Sequence, residues 1–362
     1  MVVVLGTRPE IVKLGPVINA LGARAVVVHT GQHWDAGLSD VFLEQLQVPT
    51  PERSLGIGGG TRGEQLGQAV SLLDAAFAEL DPAAVVVQGD TTSALAGGLA
   101  ANAREVPLVH VEAGLRSFDR AMPEEHNRVV VDQLADLCLA PTEASRQHLL
   151  ASGVPDDRIE VTGNTVVDAL AALLPDAPAR QALLHDRGLE PEGYVLSTFH
   201  RPENVDDPDR LGAVLEQLAA LPLPVVLPVH PRLRARADAS GLGPTLDVLR
   251  VVPPLDYVAF LGLLAECALV VSDSGGVQEE LSVVKRPGLV VRRSTERPEV
   301  LGTFTELVEP GPAIGVAAAP LLRDPGAVHR RLATLPSPYG DGHAGPRSAA
   351  AVLALLARRR PV

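Results

Sequence analysis

The chain has 362 residues, of which 46% are hydrophobic and 21% are charged, and its formal net charge is −13. This composition is that of a globular protein with room for two domains, and it excludes a disordered chain. The acidic balance argues against a nucleic-acid partner or an anionic membrane, so an anionic ligand would need a local cluster of cations. Lysine occurs only at Lys13 and Lys285, and arginine carries nearly all other positive charge.

The cysteines and the apolar runs bear on the compartment. Cys138 and Cys267 lie far apart in apolar stretches, which predicts two buried free thiols in a reducing compartment and no metal site. The apolar run 1–5 has no basic flank and predicts a first strand, not a signal peptide. The run 258–271 is interrupted by Glu266 and is too short to span a bilayer. We therefore expect a cytoplasmic protein with no membrane partner.

Short apolar runs alternate with longer helical patterns along the whole chain. Continuous runs of Val and Leu predict parallel strands buried on both faces, and their alternation with helices predicts right-handed βαβ units. The predicted strands are Val2–Leu5, Ala25–His29, Ala84–Gln88, Leu108–Val111, Leu137–Ala140, Tyr194–Thr198, Val225–Val229, Leu269–Val271 and Gly288–Val291. Two such series predict an α/β protein with two Rossmann-like domains, at 1–168 and 178–345, and a ligand-binding cleft between them.

The turn after the first predicted strand is Gly6-Thr7-Arg8-Pro9-Glu10, with Lys13 one helical turn further on. Gly6 permits a tight turn and Pro9 suits the start of a helix. Arg8 would then lie near the unpaired N–H groups of a helix N-terminus, which is an anion site in principle.

Two later strands end on carboxylates. Asp90 follows 84–88, where it is either an N-cap or a functional group at the ligand-binding edge of the sheet. Glu112 follows 108–111 directly and has no evident capping role. Glu124 then begins a helix after Pro123, either as a third carboxylate of the site or as a complement to the helix dipole. Nearby arginines could pair with these carboxylates or with an anionic ligand; they are Arg116, Arg120 and Arg128.

The second half contains a glycine-rich turn, Ser272-Asp273-Ser274-Gly275-Gly276, which opens a helix. Ser274 is a candidate N-cap, and Gly275 and Gly276 let a ligand approach the backbone, so the helix N-terminus could hold a diphosphate. Glu280 lies nearly two turns up the helix, within reach of a ribose diol. The alternative is a turn that binds nothing.

Two histidines also follow predicted strands. His200, with Arg201 beside it, ends the strand 194–198, and His230 ends 225–229. A single histidine at a strand end is usually a hydrogen-bonded structural residue, but two of them at one edge favour a site.

Taken together, the motifs resemble those of the non-hydrolysing UDP-N-acetylglucosamine 2-epimerases, in their order and spacing over nearly the whole chain. The motifs are Gly6-Thr7-Arg8-Pro9-Glu10 with Lys13, Gln32-His33, Gly89-Asp90-Thr91-Thr92, His110-Val111-Glu112-Ala113-Gly114-Leu115-Arg116, Pro123-Glu124-Glu125-x-Asn127-Arg128, Gly163-Asn164-Thr165-x-x-Asp168, His200-Arg201, Pro228-Val229-His230, Asp273-Ser274-Gly275-Gly276-x-Gln278-Glu279-Glu280, Thr295-Glu296-Arg297-Pro298-Glu299 and Pro338-Tyr339-Gly340-Asp341-Gly342. The resemblance implies the GT-B fold, with the last helix, 346–362, returning to the first domain.

The resemblance also implies roles for individual residues. The implied acid/base group is Asp90, Glu112 and Glu124 with the active-site histidine His230. The implied substrate-binding residues are Arg8, Lys13, His200, Arg201, Ser274, Gly275, Gly276 and Glu280. In bacterial members the segment that matches Gln32 and His33 belongs to a second, regulatory UDP-sugar site. The chain departs from the family at Trp34 and at Pro231-Arg232, where other members often have Arg and Asn-Pro.

The implied reaction is the reversible epimerisation of UDP-N-acetylglucosamine to UDP-N-acetylmannosamine through a 2-acetamidoglucal. No nicotinamide-binding fingerprint is evident, and we expect neither cofactor nor metal. The expected partners are the UDP-sugar substrate and a second copy of the chain in a homodimer. Three other functions stay open: a hydrolysing epimerase that releases N-acetylmannosamine and UDP, a GT-B glycosyltransferase, and a non-catalytic sensor of nucleotide sugars.

Overall fold

The computed structural model describes residues 1–31, 43–229 and 231–359. The chain forms two compact units, the first made of Met1–Ala172 and Tyr339–Val362 and the second of Leu173–Pro338. The chain passes into the second unit at Leu173 and returns to the first at Tyr339, just before its last helix.

The first unit begins as alternating strands and helices. Its strands are β1 (Val2–Leu5), β2 (Val26–His29), β3 (Arg53–Ser54), β4 (Val85–Gln88), β5 (Leu108–Val111), β6 (Leu137–Ala140) and β7 (Ile159–Val161). Its helices up to the boundary are α1 (Arg8–Leu21), α2 (Arg62–Leu80), α3 (Thr92–Ala103), α4 (Pro123–Leu134), α5 (Glu143–Ala151) and α6 (Thr165–Leu173). Short 3₁₀ helices lie at Gly22–Arg24 and Asp156–Arg158.

These strands form one parallel sheet in the order β3-β2-β1-β4-β5-β6-β7. The central strands are buried on both faces, which is why they consist of uninterrupted apolar, mostly β-branched residues. Val2 lies between Val26 and Val85 in the register, so β1 has neighbours on both sides. The strand order reverses between β1 and β4, and ligands of open α/β sheets bind at such a switch point, beyond the carboxyl ends of the strands.

The second unit repeats the same plan. Its strands are β8 (Val195–Thr198), β9 (Val225–Pro228), β10 (Arg250–Val252), β11 (Leu269–Ser272), β12 (Gly288–Val291) and β13 (Thr305–Val308). Its helices are α7 (Ala177–Asp186), α8 (Pro202–Val205), α9 (Pro208–Ala219), α10 (Pro231–Ala239), α11 (Gly243–Leu246), α12 (Tyr257–Glu266), α13 (Gly275–Val284), α14 (Ala313–Arg323) and α15 (Pro325–Ala333), with a 3₁₀ helix at Pro298–Val300. The parallel sheet has the order β10-β9-β8-β11-β12-β13, so its switch point lies between β8 and β11.

The last helix, α16 (Ala344–Arg359), belongs to the first unit and packs on α1. Gly345 makes this contact close, because a Cβ there would lie 2.7 Å from Cβ of Pro16 and 2.8 Å from its carbonyl oxygen. Asp168 of α6 accepts hydrogen bonds from the amides of Ala344 and Gly345, at 3.1 and 2.9 Å, and so satisfies two unpaired donors at the start of α16.

The nine strands predicted from apolar runs are confirmed to within a residue at each end. The sequence analysis missed β3, β7, β10 and β13, all of which lie at the edges of the sheets. Cys138 and Cys267 are free and buried, as expected. In the part of the chain that the structure describes, no helix has both the length and the apolar character to cross a membrane.

Candidate functional site

At the switch point of the first sheet, the loops that follow β1 and β4 lie against each other. Thr30 Oγ1 and Ser93 Oγ are 2.7 Å apart, and a Cβ on Gly6 would come within 2.1 Å of both hydroxyls. A side chain at position 6 would therefore clash with these hydroxyls, which is why glycine is needed there. The φ of Gly6 is not positive, so its backbone conformation by itself does not require glycine. The close approach brings the segments that carry Arg8 and Asp90 together.

Glu10 joins these two loops. Its carboxylate is fully buried and accepts hydrogen bonds from the Gly6 amide at 3.0 Å, the Thr7 hydroxyl at 2.8 Å and the Thr91 hydroxyl at 2.7 Å. Burial raises the pKa of Glu10 to about 7, although the hydrogen bonds from Thr91, Thr7 and Gly6 act in the opposite direction. The sequence analysis did not assign Glu10 a role.

Arg8 is the first residue of α1, and its side chain is exposed. The N-cap residue Thr7 makes no side-chain capping bond to the helix, and its hydroxyl donates to Glu10. An exposed guanidinium at a helix N-terminus gives this edge of the sheet a positive potential, which suits an anionic ligand.

Lys13 and Glu112 form a buried ion pair between α1 and the loop after β5. Each of the two side chains is 7% exposed. Glu112 also has a φ of +64°, a left-handed conformation that glutamate rarely adopts. The Nδ2 atom of Asn164 lies 3.4 Å from the same carboxylate. The structure thus holds Glu112 at the end of its strand with a cation, an amide and an unusual backbone turn, which distinguishes it from an ordinary surface carboxylate.

Asp90 pairs with Arg128 of α4, and its carbonyl oxygen accepts a hydrogen bond from Asn127 Nδ2 at 2.7 Å. The N-cap of α3 is Thr91, whose hydroxyl accepts from the Ala94 amide at 3.0 Å. Asp90 is therefore not the cap, which was the alternative role for it. Its carboxylate is 29% exposed and is oriented by the adjacent helix.

Glu124 and Glu125 are neighbours with different environments. Glu124 is exposed at the start of α4. Glu125 is buried and accepts from the amide and hydroxyl of Ser117, at 2.9 and 2.8 Å, and from Arg128 at 2.7 Å. Glu125 therefore fixes the loop between β5 and α4, whereas the carboxylate of Glu124 stays accessible to a ligand.

A buried network of hydrogen bonds and an ion pair supports the loops that carry Asp90 and Glu112. His110 Nδ1 lies 2.7 Å from Asp132 Oδ1, and its Nε2 lies 2.8 Å from the Gly89 carbonyl oxygen. Arg116 Nη1 contacts the other oxygen of Asp132 at 2.7 Å. Asp132 thus connects the β5 strand, α4 and the segment that leads from Glu112.

In the second unit, His200 and Arg201 follow β8 at the switch point of that sheet. Asp273, which follows the neighbouring strand β11, is fully buried and accepts from the His200 and Arg201 amides at 3.1 and 3.0 Å. Its carboxylate also lies 3.1 Å from His200 Nδ1, while the imidazole is 59% exposed. Burial acts to raise the pKa of Asp273, but hydrogen bonds from His200, Asn204 and Arg201 outweigh it, and the pKa lies below its usual value.

Ser274 is the N-cap of α13, and its side chain makes no capping bond. The two glycines that follow differ. A Cβ on Gly275 would lie 2.7 Å from Arg297 Nη1 and 2.9 Å from Glu296 Oε1, whereas a Cβ on Gly276 would have no atom within 4 Å. Gly275 is therefore required by packing, and the space beside Gly276 is open to a ligand at the positive end of the helix dipole.

The two glutamates of α13 have different partners. Glu279 is fully buried and pairs with Arg297 Nε at 2.7 Å. Glu280 is 6% exposed and accepts a hydrogen bond from the Tyr257 hydroxyl at 2.7 Å. The sequence indicated a role for Glu280 but none for Tyr257, and Arg297 was named there only as part of a motif.

Three predicted residues lie outside the described part of the chain: Gln32, His33 and His230. Among residues 1–31, 43–229 and 231–359, no group of three or more His, Cys, Asp or Glu side chains is arranged to hold a metal ion. In each unit, the candidate site residues follow strands at or beside the switch point of its own sheet. Ligands of nucleotide-binding α/β proteins bind at this position.

These features define a two-domain α/β protein with candidate ligand-binding residues at the edge of each sheet, and solved structures share its fold. Over 98% of this chain and 99% of the other, it matches the UDP-GlcNAc 2-epimerase of Methanocaldococcus jannaschii in complex with UDP-GlcNAc and UDP, with a TM-score of 0.84 and 35% sequence identity. It matches the UDP-GlcNAc 2-epimerase of Neisseria meningitidis bound to UDP-GlcNAc over the same shares, with a TM-score of 0.88 and 30% identity. The expected GT-B fold is thereby confirmed.

Sequence comparisons lead to the family. The family model described as UDP-N-acetylglucosamine 2-epimerase matches residues 19–353. The UDP-N-acetylglucosamine 2-epimerase of M. jannaschii is 36% identical over 357 residues, which cover 95% of this chain and 96% of the relative. The UDP-2,3-diacetamido-2,3-dideoxy-D-glucuronate 2-epimerase of Pseudomonas aeruginosa is 37% identical over 325 residues, or 87% of this chain and 88% of the relative. The chain belongs to the UDP-N-acetylglucosamine 2-epimerase family, as its motifs indicated.

Proposed function

We propose that this protein interconverts UDP-N-acetylglucosamine and UDP-N-acetylmannosamine by inverting C2, without net hydrolysis. Family membership supports the reaction class, and the names of the M. jannaschii and N. meningitidis relatives support the substrate. The observation that carries the proposal is the placement of Asp90 and Glu112 on neighbouring loops at the carboxyl ends of β4 and β5, each with a cation beside it.

The reaction needs a base and a site for the leaving group. The C2 proton is not adjacent to a carbonyl group. Its removal is therefore difficult unless the neighbouring bond between C1 and the diphosphate oxygen breaks as well. The proton passes to a base, the electron pair of the C1–O bond leaves with UDP, and a C1–C2 double bond forms in a 2-acetamidoglucal. Return of a proton to C2 from the other face, with UDP rejoining C1, gives the epimer.

Proton transfer on two faces of one carbon requires more than one acid/base group. Asp90, Glu112 and Glu124 fill this role in the proposal. Arg128 orients Asp90 and Lys13 orients Glu112. Glu124 is an exposed carboxylate at the start of α4. Glu10 and Asp132 act indirectly, since both are buried beneath the loops that carry these groups.

The leaving diphosphate needs concentrated positive potential. In the second unit the start of α13 supplies N–H groups at Gly275 and Gly276, next to the N-cap Ser274, and the open space beside Gly276 admits an anion. Arg8 adds an exposed guanidinium in the first unit. Glu280 binds the ribose in this proposal, and His200 with Arg201 contacts the substrate.

A second substrate has a specific observation in its favour. The P. aeruginosa relative, which is named for a UDP-2,3-diacetamido-2,3-dideoxy-D-glucuronate, is 37% identical to this chain. Its sugar differs from N-acetylglucosamine at C3 and C6, while the chemistry at C1 and C2 is the same. The experiment below therefore includes both sugar nucleotides.

Proton NMR in D₂O tests the proposal. The protein is incubated with each UDP-sugar and with no acceptor. UDP-N-acetylmannosamine with deuterium at C2 is the expected product from UDP-N-acetylglucosamine. Exchange only with the diacetamido glucuronate would transfer the proposal to that substrate, and accumulation of free N-acetylmannosamine with UDP would show a hydrolysing enzyme. Absence of any reaction without an acceptor would favour a transferase.

The proposal includes a homodimer as the active unit and a cytoplasmic location, by resemblance to the family. The mass of the protein under assay conditions tests the first, and fractionation of cells that produce it tests the second. A monomer with full activity would remove the dimer from the proposal without affecting the reaction.

A further inference from the structure

Tyr257 and Glu280 belong to different helices of the second unit, and one hydrogen bond joins them. The Tyr257 hydroxyl donates to Glu280 Oε1 at 2.7 Å. Tyr257 is the first residue of α12, and the preceding residue, Asp256, caps that helix by accepting from the Ala259 amide at 2.8 Å. The tyrosine is thus fixed at a capped helix start, and its rigid ring carries the hydroxyl to the second turn of α13.

Glu280 and the glutamate before it, Glu279, have different partners. Glu279 pairs with the Arg297 guanidinium, whose charge opposes its own. The Tyr257 hydroxyl, which is a neutral donor, orients the Glu280 carboxylate through a hydrogen bond to Oε1. A carboxylate offers about four acceptor positions, and the tyrosine takes one of them, on Oε1. An oriented anionic carboxylate is a strong acceptor for the two adjacent hydroxyls of a sugar diol.

The tyrosine keeps its proton in this position. Burial, and next the nearby charge of Glu280, raise the pKa of Tyr257 well above its usual value. The hydroxyl therefore donates over the whole pH range in which an enzyme of this kind is assayed.

We propose that Tyr257 is a positioning residue that sets the plane of the Glu280 carboxylate for the ribose diol of the UDP-sugar, and so makes the protein select ribonucleotides over deoxyribonucleotides. The inference rests on the proposed function, in which Glu280 binds the ribose. Without the tyrosine, Glu280 loses the hydrogen bond that fixes its Oε1, and the geometry for two simultaneous hydrogen bonds to the diol is less well preset.

Calorimetric titration with UDP and with 2′-deoxy-UDP measures the selection directly. We expect the wild-type protein to prefer UDP by at least about tenfold, the usual scale for one hydrogen bond to a charged group. Tyr257→Phe should reduce this preference to about threefold or less by weakening UDP alone, with the affinity for 2′-deoxy-UDP unchanged. Glu280→Gln should reduce the preference to a similar extent.

Tyr194→Phe is the matched control, because the Tyr194 hydroxyl also donates to α12, to the Leu263 carbonyl oxygen at 2.6 Å, and is not bonded to Glu280. It should keep the wild-type preference even if it loses stability. A Tyr257→Phe protein that prefers UDP as strongly as the wild type, while Glu280→Gln does not, overturns the inference and leaves the proposed function intact. A Glu280→Gln protein with an undiminished preference overturns it as well. Failure of the proposed function itself shows separately, as a lack of C2 exchange by the wild-type protein in D₂O.

Discussion

Lys13 and Glu112, which are 99 positions apart in the chain, form a buried ion pair beside the switch point of the first sheet. The pair connects the first turns of α1 to the end of β5, where the backbone of Glu112 is left-handed. Glu112 is therefore an integral part of the first unit and at the same time one of the proposed acid/base groups, so its charge affects both stability and turnover.

The first prediction concerns this pair. Lys13→Met keeps the length of the side chain but leaves the carboxylate of Glu112 buried without its cation, and we expect a loss of about 3–5 kcal/mol of unfolding free energy. Adding Glu112→Gln should restore much of that loss, because the buried charge is then gone. Urea unfolding of the two single variants and the double variant gives the coupling free energy. Additive effects within about 0.5 kcal/mol would show that the two residues do not depend on each other.

The second prediction separates proton transfer from UDP binding. Asp90→Asn, Glu112→Gln and Glu124→Gln keep the size of each side chain but remove the ionised form. UDP affinity should stay within about tenfold, or roughly 1.4 kcal/mol, while C2 exchange should fall by on the order of a hundredfold or more. Calorimetry with UDP and deuterium exchange by NMR measure the two quantities. If Glu112→Gln and Glu124→Gln both exchange C2 hydrogen at near the wild-type rate, these carboxylates are structural and the proposed mechanism is wrong.

Arg8→Ala should behave differently, and this is the third prediction. The diphosphate is present in both the ground state and the transition state, so losing Arg8 should weaken UDP binding as well as turnover. Arg24→Ala is a suitable control, since it removes an arginine at the other end of α1, away from the switch point. Unchanged UDP affinity in Arg8→Ala would exclude Arg8 from the diphosphate site.

The fourth prediction uses the pKa of Glu10, which burial raises from 4.5 to about 7. A folded-state pKa above the unfolded value stabilises the protein at low pH, and this contribution is lost as the pH rises from about 4.5 through about 7. The stability of the wild type relative to Glu10→Gln should therefore fall by roughly 2–4 kcal/mol between pH 4.5 and pH 8. Unfolding midpoints of both proteins over this range measure the difference. A difference that does not change with pH would show that Glu10 titrates at its ordinary value.

The fifth prediction compares two adjacent glycines. Gly275→Ala forces a Cβ against Arg297 and Glu296, which are held in ion pairs, and should cost about 1–3 kcal/mol of stability. Gly276→Ala meets no neighbour and should be neutral or stabilising by up to about 1 kcal/mol, because alanine favours a helix over glycine. Even so, Gly276→Ala should weaken UDP binding, since the methyl group enters the space proposed for the diphosphate. Thermal unfolding measures the stability of both variants, and calorimetry measures their UDP affinity. Tight UDP binding by Gly276→Ala would show that the diphosphate does not bind beside Gly276.

The sequence predicted the buried centre of each sheet but not its edges. Val2–Leu5 and Gly288–Val291 are buried on both faces, so their composition alone marks them as strands. β7 contains Glu160 and an exposed Val161, and a strand paired on one side needs no continuous apolar run. Edge strands are therefore formed by pairing with a neighbour that is distant in the sequence, and a local pattern cannot show this.

The candidate site was predictable to a similar extent. Asp90, Glu112 and Ser274 could be proposed from the sequence because functional groups of α/β proteins follow the carboxyl ends of strands. Arg128 was one of three arginines that could pair with the carboxylates, but its pairing with Asp90 and that of Lys13 with Glu112 could not be read from the sequence, since each pair is separated by many residues of chain. Likewise the sequence does not distinguish the roles of the adjacent residues Glu124 and Glu125. The orientation of α4 buries Glu125, whose carboxylate accepts a hydrogen bond from Ser117.

The return of the chain to its first unit has a consequence for the order of assembly during synthesis. The second unit is one uninterrupted segment, 173–338, so all of it is synthesised before α16. The first unit is begun earlier but completed later, because the face of α1 around Pro16 has no covering helix until Gly345 and the residues after it arrive. The first unit is thus begun first and completed last, and the surface of α1 that α16 covers is available to a nascent-chain chaperone until the last helix has been made.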